Sequence, residues 1–366
     1  MGFNCGIIGL PNVGKSTIFN ALTAAQAEAA NYPFCTIEPN KGIVPVPDER
    51  LEILAKIAGS ATIIPAAVEF LDIAGLVKGA SEGEGLGNQF LGHIRSVDAL
   101  IHVVRCFEDE NIVHVDGSIS PKRDVEVIET ELMLSDLASV EKRLERMAKT
   151  IKTGTKEAKE EYAALEFANE CLSKGLLLRN IKHEEFDINS LGLLTSKPLL
   201  YVANVLEDDV ALVPDLNAKG FLGELVKHAH SVKSDVVVIS GKVESEVSQL
   251  PIEERGAFLE ALGLHNSGLS RLAQAGYKLL DLITFFTIGP KEAHAWTCKN
   301  GSTSVDAAGK IHTDFAKGFI RAEVIGYADY VQYNGEQGAK EKGLLRVEGK
   351  QYLMIDGDIV HFRFNV

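Results

Sequence analysis

Short apolar segments recur along the chain and are separated by polar, helix-forming segments. Several of them predict buried strands, at residues 3–8, 66–71, 98–106, 198–204 and 235–240. Helical segments lie between these strands, as at residues 17–25 and at 48–58, where Asp48 is a predicted N-cap. Strands that alternate with helices are typical of a mostly parallel sheet with helices on its faces. We therefore predict an α/β fold for the larger part of the chain.

A heptad repeat interrupts this α/β pattern. Its apolar positions are spaced alternately by four and three residues: Met133, Leu137, Val140, Leu144, Met147 and Ile151. After a break at residues 153–155 a weaker stripe follows: Ala158, Tyr162, Leu165, Asn169 and Leu172. Two consecutive stripes of this kind predict an antiparallel helical hairpin with coiled-coil packing. Because strands flank it on both sides, we interpret residues 126–177 as an insertion.

The last part of the chain is rich in strands and turns. Predicted strands lie at residues 285–288, 295–298 and 359–364, the last after an Asp-Gly-Asp turn. This pattern indicates a separate small α+β domain. The predicted organisation is therefore an α/β domain of residues 1–125 and 178–281, the hairpin of 126–177, and a C-terminal domain of 282–366.

Composition narrows the class of protein. The chain has 366 residues and is 46% hydrophobic, which is typical of a globular protein. No apolar run approaches the length of a membrane span, and its five scattered cysteines favour reduced thiols in the cytoplasm. The net charge of −14 argues against nucleic-acid binding by the whole surface. Basic residues near the predicted hairpin tip leave two interpretations open, a solvated face or a contact with RNA or protein.

Residues 9–16 form the strongest chemical motif, Gly-Leu-Pro-Asn-Val-Gly-Lys-Ser. An apolar strand precedes it and a helix-forming segment follows, which is the context of a phosphate-binding loop. Backbone amides and the helix N-terminus bind phosphate oxygens there. Lys15 is expected to contact the β- and γ-phosphates, and Ser16 to bind Mg²⁺. The predicted nucleotide-binding residues of this motif are Asn12, Val13, Gly14, Lys15, Ser16 and Thr17.

Two further segments have the character of nucleotide switches. Thr36 lies between two prolines and is expected to join Ser16 at the magnesium ion. Asp72 ends a predicted strand and is expected to hold the same ion through water. Gly75 can donate its backbone N–H to the γ-phosphate. The glycine-rich run at residues 79–87 is either a mobile surface loop or a switch that triphosphate orders.

The base-binding segment departs from the pattern of GTP-binding proteins. Those proteins carry Asn-Lys-x-Asp after a strand, and its Asp accepts two hydrogen bonds from guanine. Here the strand ends in Asn204-Val205-Leu206-Glu207, so Val205 replaces the Lys and Glu207 replaces the Asp. This change weakens the demand for guanine, so we predict that ATP is preferred and keep GTP as an alternative. Ser240 and Gly241 follow the next strand as a second predicted base contact.

The residue that activates water is also unusual. Gln often follows the Asp-x-x-Gly motif, whereas here the next residue is Leu76, which cannot hydrogen-bond. His114 is a titratable residue on the loop after a neighbouring strand, and we predict that it is catalytic together with Lys15 and Gly75. The alternative is an ordinary surface-loop histidine. We expect slow hydrolysis without a partner.

Together these features resemble the YchF type of Obg-like P-loop ATPases, within the Obg-related GTPase superfamily. The resemblance rests on residues 9–16, residues 32–40, Asp72-x-x-Gly75-Leu76 with the following glycine run, Asn204-x-x-Glu207, the inserted hairpin and the C-terminal domain. It implies a P-loop domain, a helical arm and a C-terminal TGS domain with the β-grasp, ubiquitin-like fold. It also implies ATP preference, an apolar residue where Leu76 stands, and a role in hydrolysis for the histidine at position 114.

The resemblance further implies a ribosome-binding switch, with the large subunit and the 70S ribosome as partners. We expect a Mg²⁺-dependent, cytoplasmic, monomeric ATPase without membrane association. The alternative is a GTP-dependent or nucleotide-gated protein that binds RNA away from the ribosome, in a cleft between arm and TGS domain. A metabolic kinase is a weaker third hypothesis, because the sequence shows no acceptor site beside the γ-phosphate.

Overall fold

The computed structural model describes residues 3–28, 40–73, 86–149, 151 and 155–365. Their contacts divide them into two compact units. The first unit contains the described residues up to 28, residues 40–42 and those from 69 to 272, and the second contains 43–68 and those from 273 onwards. Residues 43–68 thus group with the C-terminal part, whereas the sequence analysis assigned them to the N-terminal α/β domain.

The elements of the N-terminal half are β1 (Asn4–Ile8), α1 (Lys15–Glu28), β2 (Lys41–Pro45), α2 (Glu49–Ala58), β3 (Thr62–Ile64), β4 (Ala67–Asp72), α3 (Leu86–Ser96), β5 (Ala99–Arg105), α4 (Pro121–Ala148) and α5 (Lys156–Ser173). Those of the C-terminal half are β6 (Leu199–Asn204), α6 (Gly220–Ser231), β7 (Val236–Ile239), α7 (Gly241–Gln249), α8 (Ile252–Ala261), α9 (Gly268–Leu279), β8 (Leu282–Ile288), β9 (Glu292–Lys299), α10 (Ser304–Ile311), α11 (Thr313–Lys317), β10 (Phe319–Gly326), α12 (Tyr327–Gln332), α13 (Glu336–Glu341), β11 (Arg346–Glu348) and β12 (Asp358–Phe364).

The first sheet has the strand order β2-β4-β1-β5-β6-β7 within the described residues. The pairs β1–β4, β1–β5, β5–β6 and β6–β7 are all parallel. Every residue of β5 and β6 is buried, as expected for parallel strands that helices cover on both faces. The predicted α/β class is confirmed, and the carboxyl ends of β1, β4, β5 and β6 meet at one edge of the sheet.

The predicted helical hairpin is present as α4 and α5. The seam residues Met133, Leu137, Val140, Leu144 and Met147 pack around a cluster that includes Leu165 and Leu172. In α5 the prediction was partly wrong, because Ala168 and not Asn169 is the buried member of the stripe. Residues 178–193 add Leu178 and Ile188 to the same cluster, so a third segment covers the helix pair near its base.

The second unit is built on a mixed sheet. Its strand order is β11-β10-β12-β8-β9-β3 within the described residues. β8 pairs antiparallel with β9 and parallel with β12, and β3 adds a parallel edge strand. Helix α10 begins with a capping box formed by Thr303 and Asp306. The core of this unit contains Phe285, Ala322 and Phe362, with α10 residues packed on them.

Buried charges join the base of the hairpin to the first sheet. Glu129 of α4 is 4% exposed and accepts hydrogen bonds from Arg179 at 2.5 Å and from the Tyr201 hydroxyl at 2.6 Å. His228 Nε2 lies 3.3 Å from its other oxygen. Burial raises the pKa of Glu129, but His228, Arg179 and Tyr201 together outweigh it and the pKa is lowered. His102 lies beside Tyr201 in the core, and burial lowers its pKa to about 3.

The cysteines and the helix lengths can be read directly from the described residues. Among the described residues, the cysteines at positions 5, 106, 171 and 298 are unpaired and buried. Burial raises the pKa of the Cys5 thiol to about 12. Within the described part of the chain, no helix is both long enough and apolar enough to cross a bilayer.

We expect Glu129→Gln to lower the free energy of unfolding by about 2–4 kcal/mol at neutral pH, because Arg179 loses its buried partner. The folded-state pKa of Glu129 lies below its unfolded value of 4.5. Its contribution is therefore complete above the unfolded pKa and is lost as the pH falls through the folded pKa. Urea denaturation at neutral and acidic pH measures both effects. Glu161→Gln, which breaks an exposed pair with Arg143, should cost about 0.5 kcal/mol or less. Equal losses for the two variants would contradict this assignment.

Candidate nucleotide-binding site

The loop between β1 and α1 has the backbone of a phosphate-binding loop. Gly9 and Gly14 have φ values of 154° and 96°, and Asn12 is left-handed at 61°. A Cβ at Gly9 would lie 2.5 Å from the carbonyl oxygen of Val103 on β5. The glycine therefore allows the loop to lie directly against the neighbouring strand. Helix α1 begins at Lys15, so its N-terminus faces the loop.

A cavity of about 630 Å³ opens at this edge of the first sheet. It is lined by the P-loop, by the loop after β5 and by the segments after β6 and β7. The predicted nucleotide-binding residues that line it are Asn12, Gly14, Lys15, Ser16, Thr17, Asn204, Val205, Glu207, Ser240 and Gly241. Val13 is buried beneath them at 1% exposure. The structure thus brings together residues that are up to about 230 positions apart in sequence.

Lys15 and Asp72 form an electrostatic pair at the carboxyl ends of β1 and β4. Lys15 is 8% exposed, and its ammonium group donates a hydrogen bond to the Leu10 carbonyl at 2.9 Å. Burial lowers the pKa of Lys15 and raises that of Asp72, and each charge opposes the shift of the other. Within the described part of the chain, Asp72 Oδ1 is buried and has no hydrogen-bond partner. Such an oxygen requires a ligand, and a hydrated Mg²⁺ fits this carboxylate together with the Ser16 hydroxyl on the cavity wall.

Asn204 holds the P-loop and the base-binding segments together. Its Nδ2 donates to the Val13 carbonyl at 2.9 Å, and its Oδ1 accepts from the Gly241 N–H at 2.9 Å. As the first residue of the base-binding segment, Asn204 is predicted to contact the base. In the structure both ends of the amide bind the protein, and the residue is 5% exposed. Its observed role is to hold the walls of the cavity in place.

Glu207 also has a partner that the sequence did not reveal. Lys242 Nζ lies 3.1 Å from Glu207 Oε2 and 3.8 Å from Glu246 Oε1. The hydrogen bond and charge of Glu207 raise the pKa of Lys242. The carboxylate at the base-binding position therefore faces an ammonium group. Val205 is 3% exposed and supplies an apolar wall between Asn204 and Glu207.

His114 is buried, so the alternative of an ordinary surface-loop histidine does not describe it. Its Nε2 lies 2.9 Å from Asp124 Oδ2, and its Nδ1 accepts a hydrogen bond from the Asp116 N–H at 3.2 Å. The side chains of His114 and Asp124 are 4% and 2% exposed. Burial raises the pKa of Asp124, while His114 and Arg123 oppose that shift. His114 lies on the loop after β5, whose earlier residues line the cavity. Both of its ring nitrogens are bonded to protein atoms.

Arg105 is a site residue that the sequence analysis missed. It ends β5, is 1% exposed, and donates to the backbone carbonyls of Phe107, Asp109 and Ile112 at 2.9–3.2 Å. Phe107, Asp109 and Ile112 all line the cavity, so this buried guanidinium shapes one of its walls. The sequence signal for this role was an arginine at the end of a mostly apolar strand.

Some predicted site residues lie outside the described residues. These are Thr36, Gly75, Leu76 and most of the glycine-rich run. Their assigned roles at the metal ion and the γ-phosphate therefore stay predictions. The described part of the site defines the class of this protein as a P-loop nucleotide-binding protein with a helical hairpin inserted between β5 and β6.

Comparison with known proteins identifies the family. A family model for the C-terminal part of YchF GTPases, described as "Protein of unknown function (DUF933)", matches residues 282–365. A second model, described as "50S ribosome-binding GTPase", matches residues 4–135. Relatives named "Ribosome-binding ATPase YchF" from Escherichia coli O157:H7 and Bacillus subtilis are 53% and 50% identical, over 100% of this chain and of each relative.

A solved structure agrees with this assignment. The YchF GTPase of Schizosaccharomyces pombe is 37% identical and matches with a TM-score of 0.87, over 99% of this chain and 98% of that one. The chain belongs to the YchF family. The predicted family and its P-loop fold are thus confirmed.

We expect Gly14→Ala to weaken ATP binding by at least about tenfold. A Cβ at Gly14 would lie 2.2 Å from Asn204 Nδ2, and φ there is +96°. Loop and asparagine must therefore move apart, which disturbs the phosphate site. Gly256→Ala on α8 is the matched control, because a Cβ there has no neighbour within 4 Å. Isothermal calorimetry with ATP checks both variants, and wild-type affinity in Gly14→Ala would show that this close approach is dispensable.

Proposed function

We propose that this chain is a Mg²⁺-dependent ATPase that acts as a nucleotide switch on the ribosome. The observation that carries the proposal is the cavity in which the P-loop and the Asn204–Glu207 segment come together, with the Asp72 carboxylate interacting electrostatically with Lys15 of the P-loop. Family membership and P-loop fold support a nucleotide hydrolase as the general class. The nucleotide, the ion and the partner are the parts that the proposal adds.

The base-binding segment supports ATP as the preferred nucleotide. Guanine recognition uses two hydrogen bonds to a carboxylate, whereas one of the two Glu207 oxygens already lies 3.1 Å from the Lys242 ammonium. Adenine has no N1–H or 2-amino group to satisfy, so it does not compete with Lys242 for that carboxylate. Val205 gives the base an apolar wall in place of a lysine stem. GTP binding is expected to be weaker.

The phosphate site supports magnesium as the cofactor. Ser16 and Asp72 would hold the ion, with Thr36 as a further predicted ligand. When bound, Mg²⁺ neutralises the charge of the β- and γ-phosphates. Lys15 stabilises the same oxygens, and Gly75 is predicted to donate its N–H to the γ-phosphate. Hydrolysis breaks the bond between the γ-phosphorus and the bridging oxygen as water attacks the phosphorus.

We assign the positioning of that water to His114. Leu76 cannot hydrogen-bond water, and His114 lies on the loop that contacts the P-loop through Asn12 Nδ2 and the Val113 carbonyl at 3.2 Å. An imidazole nitrogen that accepts a proton from the attacking water would act as a general base. With both ring nitrogens occupied, the arrangement supports a slow intrinsic rate.

The partner is proposed from the family. Relatives carry the name ribosome-binding ATPase, and a family model that matches residues 4–135 is described as a 50S ribosome-binding GTPase. We propose the large subunit and the 70S ribosome as partners of a monomeric, cytoplasmic protein with a C-terminal TGS domain. The net charge of −14 disfavours general RNA binding, which is the alternative.

ATP should bind at least about tenfold more tightly than GTP in calorimetry with Mg²⁺. The double variant Val205→Lys and Glu207→Asp restores Asn-Lys-x-Asp and should raise affinity for GTP. Glu253→Asp on the exposed face of α8 is the control and should leave both affinities unchanged. A wild-type preference for GTP would refute the adenine argument.

Co-sedimentation should show the chain bound to 50S subunits and 70S ribosomes at physiological salt, and not to protein-free ribosomal RNA. Ribosomal surfaces offer protein and RNA together, whereas naked RNA offers mainly phosphate charge to an acidic protein. Serum albumin, which is also acidic, is the control and measures how much protein is carried non-specifically into the ribosome pellet. Equal binding to naked RNA and ribosomes would favour the RNA-binding alternative.

A further inference from the structure

The hydrogen bonds of His114 determine the tautomer of its ring. The Asp116 N–H can only donate, so Nδ1 is the acceptor at 3.2 Å. In the neutral ring the proton is therefore on Nε2, which donates to Asp124 Oδ2 at 2.9 Å. Neither nitrogen is then available to a water molecule. We call this arrangement, in which both ring nitrogens are bonded to protein atoms, the resting position of His114.

Asp124 belongs to the hairpin and not to the loop that carries His114. It lies in the first turn of α4, where its N–H donates to the Ser120 carbonyl at 2.9 Å. Its second oxygen lies 3.3 Å from the Arg123 guanidinium, which also lies 3.6 Å from Asp116. The carboxylate is thus held from both sides and 2% exposed. Each hydrogen bond to this carboxylate is strong, because the acceptor is charged and is buried away from water.

The other side of the same loop contacts the phosphate site. Asn12 of the P-loop donates to the carbonyl of Val113, the residue before His114, at 3.2 Å. Arg105 holds the loop upstream through the carbonyls of Asp109 and Ile112. The His114 loop therefore lies between the P-loop and the first turn of α4. The ring of His114 is held by Asp124 of the hairpin. The backbone next to it is held by Asn12 of the P-loop.

We propose that Asp124 is a positioning residue that holds His114 in its resting position and thereby restrains ATP hydrolysis. The proposal rests on the proposed function, in which His114 positions the attacking water. Release requires the Nε2–Oδ2 hydrogen bond to break, and the resting state is favoured by the strength of that bond. Because Asp124 is part of α4, the restraint links the inserted hairpin directly to the reaction site.

Two other interpretations of this cluster fit less well. One ligand atom each from His114, Asp116 and Asp124 lies within 4.8 Å of the others, a spacing that a metal ion could bridge. The Arg123 guanidinium already contacts both carboxylates, which disfavours a second cation. A catalytic His–Asp dyad requires a free second nitrogen, whereas Nδ1 is bonded to the Asp116 N–H. A restraint is the interpretation that uses every observed hydrogen bond.

The test is steady-state ATP hydrolysis by the full chain with the isosteric variant Asp124→Asn. An amide accepts a weaker, uncharged hydrogen bond, so the resting population should fall and kcat should rise by about 3- to 10-fold. KM for ATP should stay within about twofold, because the nucleotide contacts are unchanged. The rate at which diethyl pyrocarbonate modifies His114, followed by peptide mass spectrometry, should rise in parallel. Asp124→Ser, whose hydroxyl is too short to reach the ring, serves if the Asn variant does not fold.

Asp136→Asn is the matched control for loosening of α4. Asp136 is another buried carboxylate of α4, and it binds the backbone N–H groups of Leu194 and Thr195 instead of His114. Its replacement should lower thermal stability without raising kcat. An equal rise in kcat in Asp136→Asn would overturn the proposal, as would an unchanged or lower kcat in Asp124→Asn.

His114→Ala separates this proposal from the function on which it rests. Alone it should lower kcat by about 10²-fold while ATP binding persists, and in that background Asp124→Asn should have no effect on kcat. Wild-type turnover in His114→Ala refutes the catalytic role itself. Reduced turnover there, combined with no gain in Asp124→Asn, refutes only the restraint. A gain that persists without the histidine shows that Asp124 acts through another group.

Discussion

The nucleotide site depends on one buried amide, the side chain of Asn204. Its two hydrogen bonds join the carbonyl of Val13 to the N–H of Gly241, so the P-loop and the segment after β7 are held by a common residue at the end of β6. The approach is close enough that a Cβ at Gly14 would lie 2.2 Å from Nδ2. The positions of Gly14, Asn204 and Gly241 therefore depend on one another. The loop can keep a strained, left-handed backbone because its neighbours over-determine its position.

The same principle explains how the hairpin is attached. Helix α4 carries several buried carboxylates, among them Asp124, Glu129 and Asp136, and a buried carboxylate requires donors of defined direction. Asp136 finds them in the backbone of Leu194 and Thr195, Glu129 in Arg179 and Tyr201, and Asp124 in His114. Apolar packing along the seam tolerates small displacements, whereas these hydrogen bonds do not. They specify where α4 lies on the sheet, and with it the position of the histidine loop.

Much of the fold could be predicted because its signals are local. Apolar strands, the glycine loop and the heptad seam each depend on residues within one segment, and the structure has the parallel sheet and the helix pair that they predict. The prediction failed where distant contacts decide. Residues 43–68 group with the C-terminal unit because β3 pairs with β9, about 230 residues away. Nothing in a three-residue strand indicates its partner, since register and neighbour are set by packing.

At the site, the chemistry of the phosphate end could be predicted from residue type and spacing. The motif at residues 9–16, Asp72 and the departures at Val205 and Glu207 follow from residue type and spacing. The hydrogen-bond partners of the side chains became known from the folded structure. Asn204 joins the cavity walls, Lys242 faces Glu207, Arg105 holds the loop after β5, and Asp124 is hydrogen-bonded to His114. These partners come from different strands and helices, and hydrogen-bond direction at a few ångströms is a property of the folded arrangement that no linear pattern encodes.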